Sequence, residues 1–149
     1  MCRLMVYLGT PCLLADLVTK PSRSLTRQSY DAKERLTGHG YLNGDGFGIG
    51  WYSPEAQVDG DPTPCMFSSI QPAWNNRNLE RLANKIMSPL IFAHVRAAYP
   101  GIPVSDANCQ VLADFLGSLV TPPTFSSLCT LPVFLVVPMF WSGDSQLPL

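Results

Sequence analysis

The sequence predicts an α+β domain. Three observations carry that prediction: short apolar runs that read as buried strands, one stretch of strict two-residue alternation, and helix-start signals lying between them. At 149 residues the chain is long enough for one domain with a sizeable core.

Taken in order, Cys2–Leu8 is a short apolar run without room for helical spacing, and it reads as a buried strand. Thr10 and Pro11 form a helix-start pair, an N-cap followed by proline at the first helical position, leading into Leu13–Leu17. Thr19–Leu42 is polar and reads as loop, and Asn43-Gly44-Asp45-Gly46 is a turn signal. Gly46–Tyr52 alternates with period two: Phe47, Ile49 and Trp51 share one face, and Gly46, Gly48 and Gly50 the other. Three glycines on one face weaken a strand unless something approaches its backbone closely. Tight sheet packing is the default explanation; a substrate or nucleophile lying over the strip is the functional one. Gln57–Pro64 is a loop and Cys65–Ile70 a short strand. Asn75 or Asn76 caps a helix whose apolar stripe is Leu79, Leu82, Ala83 and Ile86, stopped by Ser88-Pro89. Leu90–Ala97 is a further strand, with Phe92, His94 and Arg96 on one face and Ile91, Ala93 and Val95 on the other.

Composition excludes several classes. Charged residues make up 14% and the net charge is −1, so there is no basic footprint for nucleic acid and no polybasic run for a membrane surface. The five cysteines show no C-x-x-C spacing and stand beside only two histidines, which argues against a metal site or a disulfide framework. A reducing, cytoplasmic setting fits this usage, and the short apolar N-terminus is no signal peptide. All ten Lys and Arg residues lie at or before Arg96. From Gln110 onward the only charges are Asp114 and Asp144, and five of the fourteen prolines fall there. Leu131–Trp141 is apolar, too short to span a bilayer, and shows no consistent helix or strand period. The change in composition places a boundary near Cys109, dividing the chain into residues 1–109 and an unassigned tail, 110–149.

Cys2 is the first candidate for chemistry. Removal of Met1 leaves one residue with both a thiol and a free α-amine, a nucleophile and a base whose ordinary titration ranges lie just above neutrality. A cysteine at position 2 is weak evidence by itself. Arg96, at the end of an apolar strand, is suited to gripping a carboxylate with two parallel hydrogen bonds. Standing alone it would read as half of a structural ion pair. His94 reads as a hydrogen-bonded core histidine, His39 as a loop residue between glycines, and Cys12, Cys65 and Cys109 as small buried hydrophobes.

Met1-Cys2-Arg3, the run Leu42–Tyr52 and Phe92–Ala97 occur in an order that resembles the class II glutamine amidotransferases. These are N-terminal-nucleophile hydrolases built as αββα sandwiches. The likeness is nearest to the branch that includes the fungal amidotransferase-like subunit of cytosolic glutathione degradation. Gln71–Asn76 and Pro103–Cys109 add to it, and it covers residues 1–109. The resemblance implies that Cys2 attacks a γ-glutamyl amide, its α-amine serving as general base and a γ-glutamyl thioester forming on the way to hydrolysis. It implies that Arg96 binds the substrate α-carboxylate. No cofactor and no metal are called for, and the substrate is a small γ-glutamyl compound. No synthase domain is present, so transfer of the released group would need a separate peptidase or synthase chain.

The sequence departs from the family pattern after Cys109. Asn108-Cys109 is followed by Gln110-Val111 where the family has His-Pro, and no His-Asn-Gly motif occurs downstream to build the oxyanion hole. The later acidic residue that holds the substrate amine has no counterpart either. The expectation is therefore an incomplete sandwich with a divergent apolar tail outside the family fold. This chain, truncated after Cys109 relative to the family, should have low or no activity. Loss of a single oxyanion donor already costs about 10²–10³ in rate. The alternatives are a non-catalytic truncated paralogue and a non-enzymatic interaction module whose apolar tail docks on a partner or membrane.

Overall fold

The first strand runs further than the sequence predicts. In the computed structural model, which describes residues 2–31, 42–53, 63–98 and 133–139, β1 spans Cys2–Leu13. Thr10 and Pro11 lie inside it rather than opening a helix. They fall where the register against the neighbouring strand slips, between the pairs Leu8–Leu90 and Cys12–Ser88. A bulge tolerates a proline because no ladder N–H is required there. The Tyr7 hydroxyl donates to the Thr10 carbonyl at 2.7 Å across the same irregularity. The helix begins only at α1, Leu14–Val18, without a side-chain cap.

A short helix, α2 (Leu25–Tyr30), interrupts the stretch expected to be loop. Ser24 caps it by accepting the Arg27 N–H at 3.2 Å. Only Leu25 and Ser29 are buried along its six residues, too few to display a helical period. After it come β2 (Phe47–Trp51) and β3 (Cys65–Ser69), then a single 3₁₀ turn at Ala73–Asn75. Helix α3 (Arg77–Ala83) starts at the second of the two candidate caps, Asn76, whose side chain accepts the Leu79 N–H at 2.9 Å, while Asn75 closes the 3₁₀ turn before it. It ends before Ser88-Pro89, which instead belong to β4 (Met87–Val95). The Ser88 hydroxyl there donates to the Tyr52 carbonyl at 2.6 Å, tying β4 to the end of β2.

The strands form one antiparallel sheet in the order β3-β2-β4-β1-β5, where β5 is Val133–Met139. The tail thus supplies a strand in a segment where no period was legible. It pairs with β1 from Cys2–Met139 to Leu8–Val133. Pro138 is accommodated because β5 lies at the edge of the sheet.

The alternation read from the sequence sets the two faces of the sheet. Met5, Tyr7, Phe47, Ile49, Ile91, Ala93 and Val95 form one buried cluster with Leu14, Ala15, Val18, Leu25, Leu79 and Ala83 from the helices. The opposite face carries a smaller cluster of Leu90 and Phe92 packed with Val6, Leu8 and Tyr52. All the helical core residues join the first cluster. Cys2, His94, Gly48 and Gly50 share parity with the second. Two expectations about cysteines part here: Cys12 is half-buried, whereas Cys65 is exposed on the outer strand rather than packed as a hydrophobe. His39, Cys109 and the Pro103–Cys109 motif lie outside the described residues.

Candidate functional site

Cys2 begins β1, and its thiol meets the chain just beyond the end of β4. The Ala97 N–H donates to Sγ at 3.4 Å, and the thiol faces the Ala97 carbonyl at 3.6 Å. Arg96 is the preceding residue and is 6% exposed, so the guanidinium is held within the fold rather than extended into solvent. The two residues singled out from sequence are thus brought to one place by the β1–β4 pairing, in which Arg3 lies opposite Val95.

The Arg96–Ala98 segment is fixed by the turn that the sequence marked at 43–46. Arg96 N–H donates to the Gly46 carbonyl at 2.9 Å, and Asp45 N–H donates to the Arg96 carbonyl at 3.1 Å. The Asp45 carboxylate accepts the Ala98 N–H at 2.7 Å. Gly46 takes φ 112°, a conformation that L side chains rarely adopt, which is why glycine stands there. Asn43 is fully buried and tied to α2: its N–H donates to the Ser29 carbonyl at 2.6 Å and its Nδ2 to the Gln28 carbonyl at 3.0 Å. Trp74 lies over Gly44 so closely that a Cβ there would stand 3.0 Å from the indole. Asp45 escaped the sequence reading because an acidic residue between two glycines is ordinary turn chemistry.

His94 lies across the sheet from Leu4 on one side and Gly48 on the other. Burial, and then the nearby Arg96 charge, lower its pKa to about 4, so it is neutral at neutral pH. Its buried Nδ1 has no hydrogen-bond partner among the described residues, where a satisfied core histidine was expected. Burial pushes the Cys12 thiol above its ordinary range, a hydrogen bond with Tyr7 offsets part of the rise, and the Asp16 charge adds to it.

No group of three or more His, Cys, Asp or Glu side chains able to hold a metal forms among the described residues. No described helix is long and apolar enough to cross a membrane. A polar cleft of about 520 Å³ lies between the helices, lined by Lys20, Thr26, Trp74, Asn76 and Arg77 among others. Neither Cys2 nor Arg96 borders it, so its position does not coincide with the thiol.

A backbone N–H directed at a thiol, one residue along the chain from a buried arginine, is an arrangement able to support nucleophilic attack on a substrate carrying a carboxylate. No protein-family model matches the chain. It is 42% identical over 130 residues, 87% of its length, to the protein named "Probable glutamine amidotransferase DUG3" of Saccharomyces cerevisiae, covering 33% of that protein. It is 32% identical over 114 residues, 76% of its length, to the γ-glutamyl-hercynylcysteine sulfoxide hydrolase of Mycolicibacterium smegmatis, covering 47% of it. The chain thus spans between a third and a half of the curated relatives it matches. Among solved structures, a glutamine aminotransferase class-II domain protein from Silicibacter pomeroyi aligns with TM-score 0.40 and 28% identity, over 63% of this chain and 29% of that one.

Proposed function

This chain is a relative of glutamine amidotransferases, with γ-glutamyl hydrolases among its other kin, and on that premise we propose that it carries the nucleophile half of a γ-glutamyl amide hydrolase site. The observation that carries the reading is the contact between Cys2 Sγ and the Ala97 N–H, one residue from the buried Arg96. In this reading Cys2, made N-terminal by removal of Met1, gives its thiol proton to its own α-amine. Sγ bonds to the γ-carbonyl carbon, and the amine passes the proton to the leaving nitrogen as the C–N bond breaks. Water then cleaves the thioester, releasing glutamate and restoring the thiol. Arg96 holds the substrate α-carboxylate through two parallel hydrogen bonds.

The apolar face of Val6, Leu8, Leu90, Phe92 and Tyr52 supports a sandwich in which a second sheet stacks there. Degradation of glutathione or a similar γ-glutamyl compound in the cytoplasm, with a peptidase or synthase partner chain, is the setting we assign. We place turnover by the 149-residue chain itself low, because its sequence carries no His-Asn-Gly motif after Cys109. We also propose that residues 1–109 hold the family part of the molecule and 110–149 a divergent tail. The interaction-module reading has one observation against it: residues 133–139 of that tail are engaged along β1.

The test is the intact mass of the purified chain before and after exposure to a glutamine-like diazo-ketone. The expected result is loss of Met1 and a single adduct on Cys2, absent from Cys2→Ala. Folded protein lacking Met1 but taking up no adduct would overturn the assignment of a substrate pocket.

A further inference from the structure

We propose that Asp45 is a positioning residue for the Cys2 thiol, acting through the backbone of Arg96–Ala98. The inference rests on the reading of Cys2 as nucleophile, but its geometry stands independently of any substrate.

Ala97 is the residue whose N–H and carbonyl both face Sγ. β4 ends at Val95, so Ala97 lies beyond the regular strand. What fixes it is the 45–46 turn, which bonds the residues on either side. The Asp45 N–H and the Gly46 carbonyl hold Arg96, and the Asp45 carboxylate holds Ala98 at 2.7 Å. A carboxylate accepting a backbone N–H makes a charge-assisted bond, short and stronger than a neutral one. Asp45 thus closes the segment on both sides of the peptide units that contact sulfur.

The turn is itself immobilised from behind. Asn43 is tied to the Gln28 and Ser29 carbonyls of α2, and Gly44 lies under Trp74. A continuous set of contacts therefore runs from α2 and Trp74 through Asp45 to Ala97 and the thiol. The role belongs to the acceptor oxygen rather than to the charge, because what must be held is the Ala98 N–H.

Asp45→Ala and Asp45→Asn in the full chain separate these contributions. In Asp45→Ala the amide proton signals of both Ala97 and Ala98 should move. The rate of Cys2 alkylation by the diazo-ketone, relative to that by iodoacetamide, should fall about tenfold, the scale of one lost hydrogen bond. Asp45→Asn keeps an oxygen able to accept the Ala98 N–H, and should leave the Ala97 signal in place and the rate ratio near that of the parent. An Asp45→Ala chain with Ala97 unmoved and the ratio unchanged would overturn the proposal. So would a folded Asp45→Asn chain in which Ala97 has moved, which decides the matter even where the alanine variant does not fold. If the parent chain takes up iodoacetamide at Cys2 but no diazo-ketone, the γ-glutamyl reading fails, and the amide signals still decide the role of Asp45.

Discussion

His94 shows how burial, with a neighbouring charge, sets the behaviour of a titrating side chain. It titrates at about 4 in the fold against an ordinary 6.5, first through burial and then through the Arg96 charge. As pH falls the unfolded chain takes up a proton that the folded chain refuses. The stability this gives the fold is fully present above about 6.5, is lost as pH drops toward about 4, and changes no further below that. The full loss is on the order of 3 kcal/mol. Urea unfolding across that range should show the slope, and His94→Gln should flatten it; an unchanged slope in the variant would assign the effect elsewhere. The candidate site was half legible at this scale. Cys2 and Arg96 announce themselves by chemical type, a thiol beside a chain terminus and a cation in an apolar strand. Asp45 and Ala97 do not, since their roles exist only once the fold brings residues 45 and 98 together. The exposure of Cys65 was unreadable for a related reason: it depends on which strand of the sheet is outermost.

At the scale of elements, periodicity was a dependable guide wherever a segment was long enough to show it. The faces of β2 and β4 and the cap of α3 follow the sequence residue by residue. The failures were local. Thr10-Pro11 carries helix-start chemistry, yet the β1 ladder outweighs it by placing both residues in a register slip. Ser88-Pro89 looks like a helix stop but serves β4, because α3 has already closed at Asn84. The Asn76 side chain, which accepts the Leu79 N–H as the cap of α3, makes a separate prediction. Asn76→Ala should lower stability by about 1 kcal/mol in urea titration, the usual cost of losing an N-cap. The ratio of diazo-ketone to iodoacetamide rates at Cys2 should not change, because the Asn76 side chain bonds to Ser69, Gln71 and Leu79 rather than to the 43–46 turn. A fall in that ratio would mean that α3 also holds the site.

At the scale of the molecule, the unexpected participant is the tail. Its composition gives no period, since a continuous apolar run offers nothing to alternate with, and only the register against β1 defines it as a strand. Removal of residues 131–149 should uncover the outer edge of β1 and leave a row of unpaired N–H and carbonyl groups. Light scattering should then show association of the shortened chain at concentrations where the full chain does not associate. A shortened chain that stays monomeric and folded would show that β5 is dispensable to the sheet. The arrangement of β1 also has a bearing on how the molecule is made. Both of its partners come from far downstream, Val95 beside Arg3 and Met139 beside Cys2. During synthesis the first strand therefore emerges with nothing to pair with until β4 has been translated, and its pairing is of high sequence separation and correspondingly slow. Throughout that interval both edges of β1 stand open to pairing with other chains. Sheet closure ends the interval: flanked by β4 and β5, β1 no longer offers either of its edges to another chain.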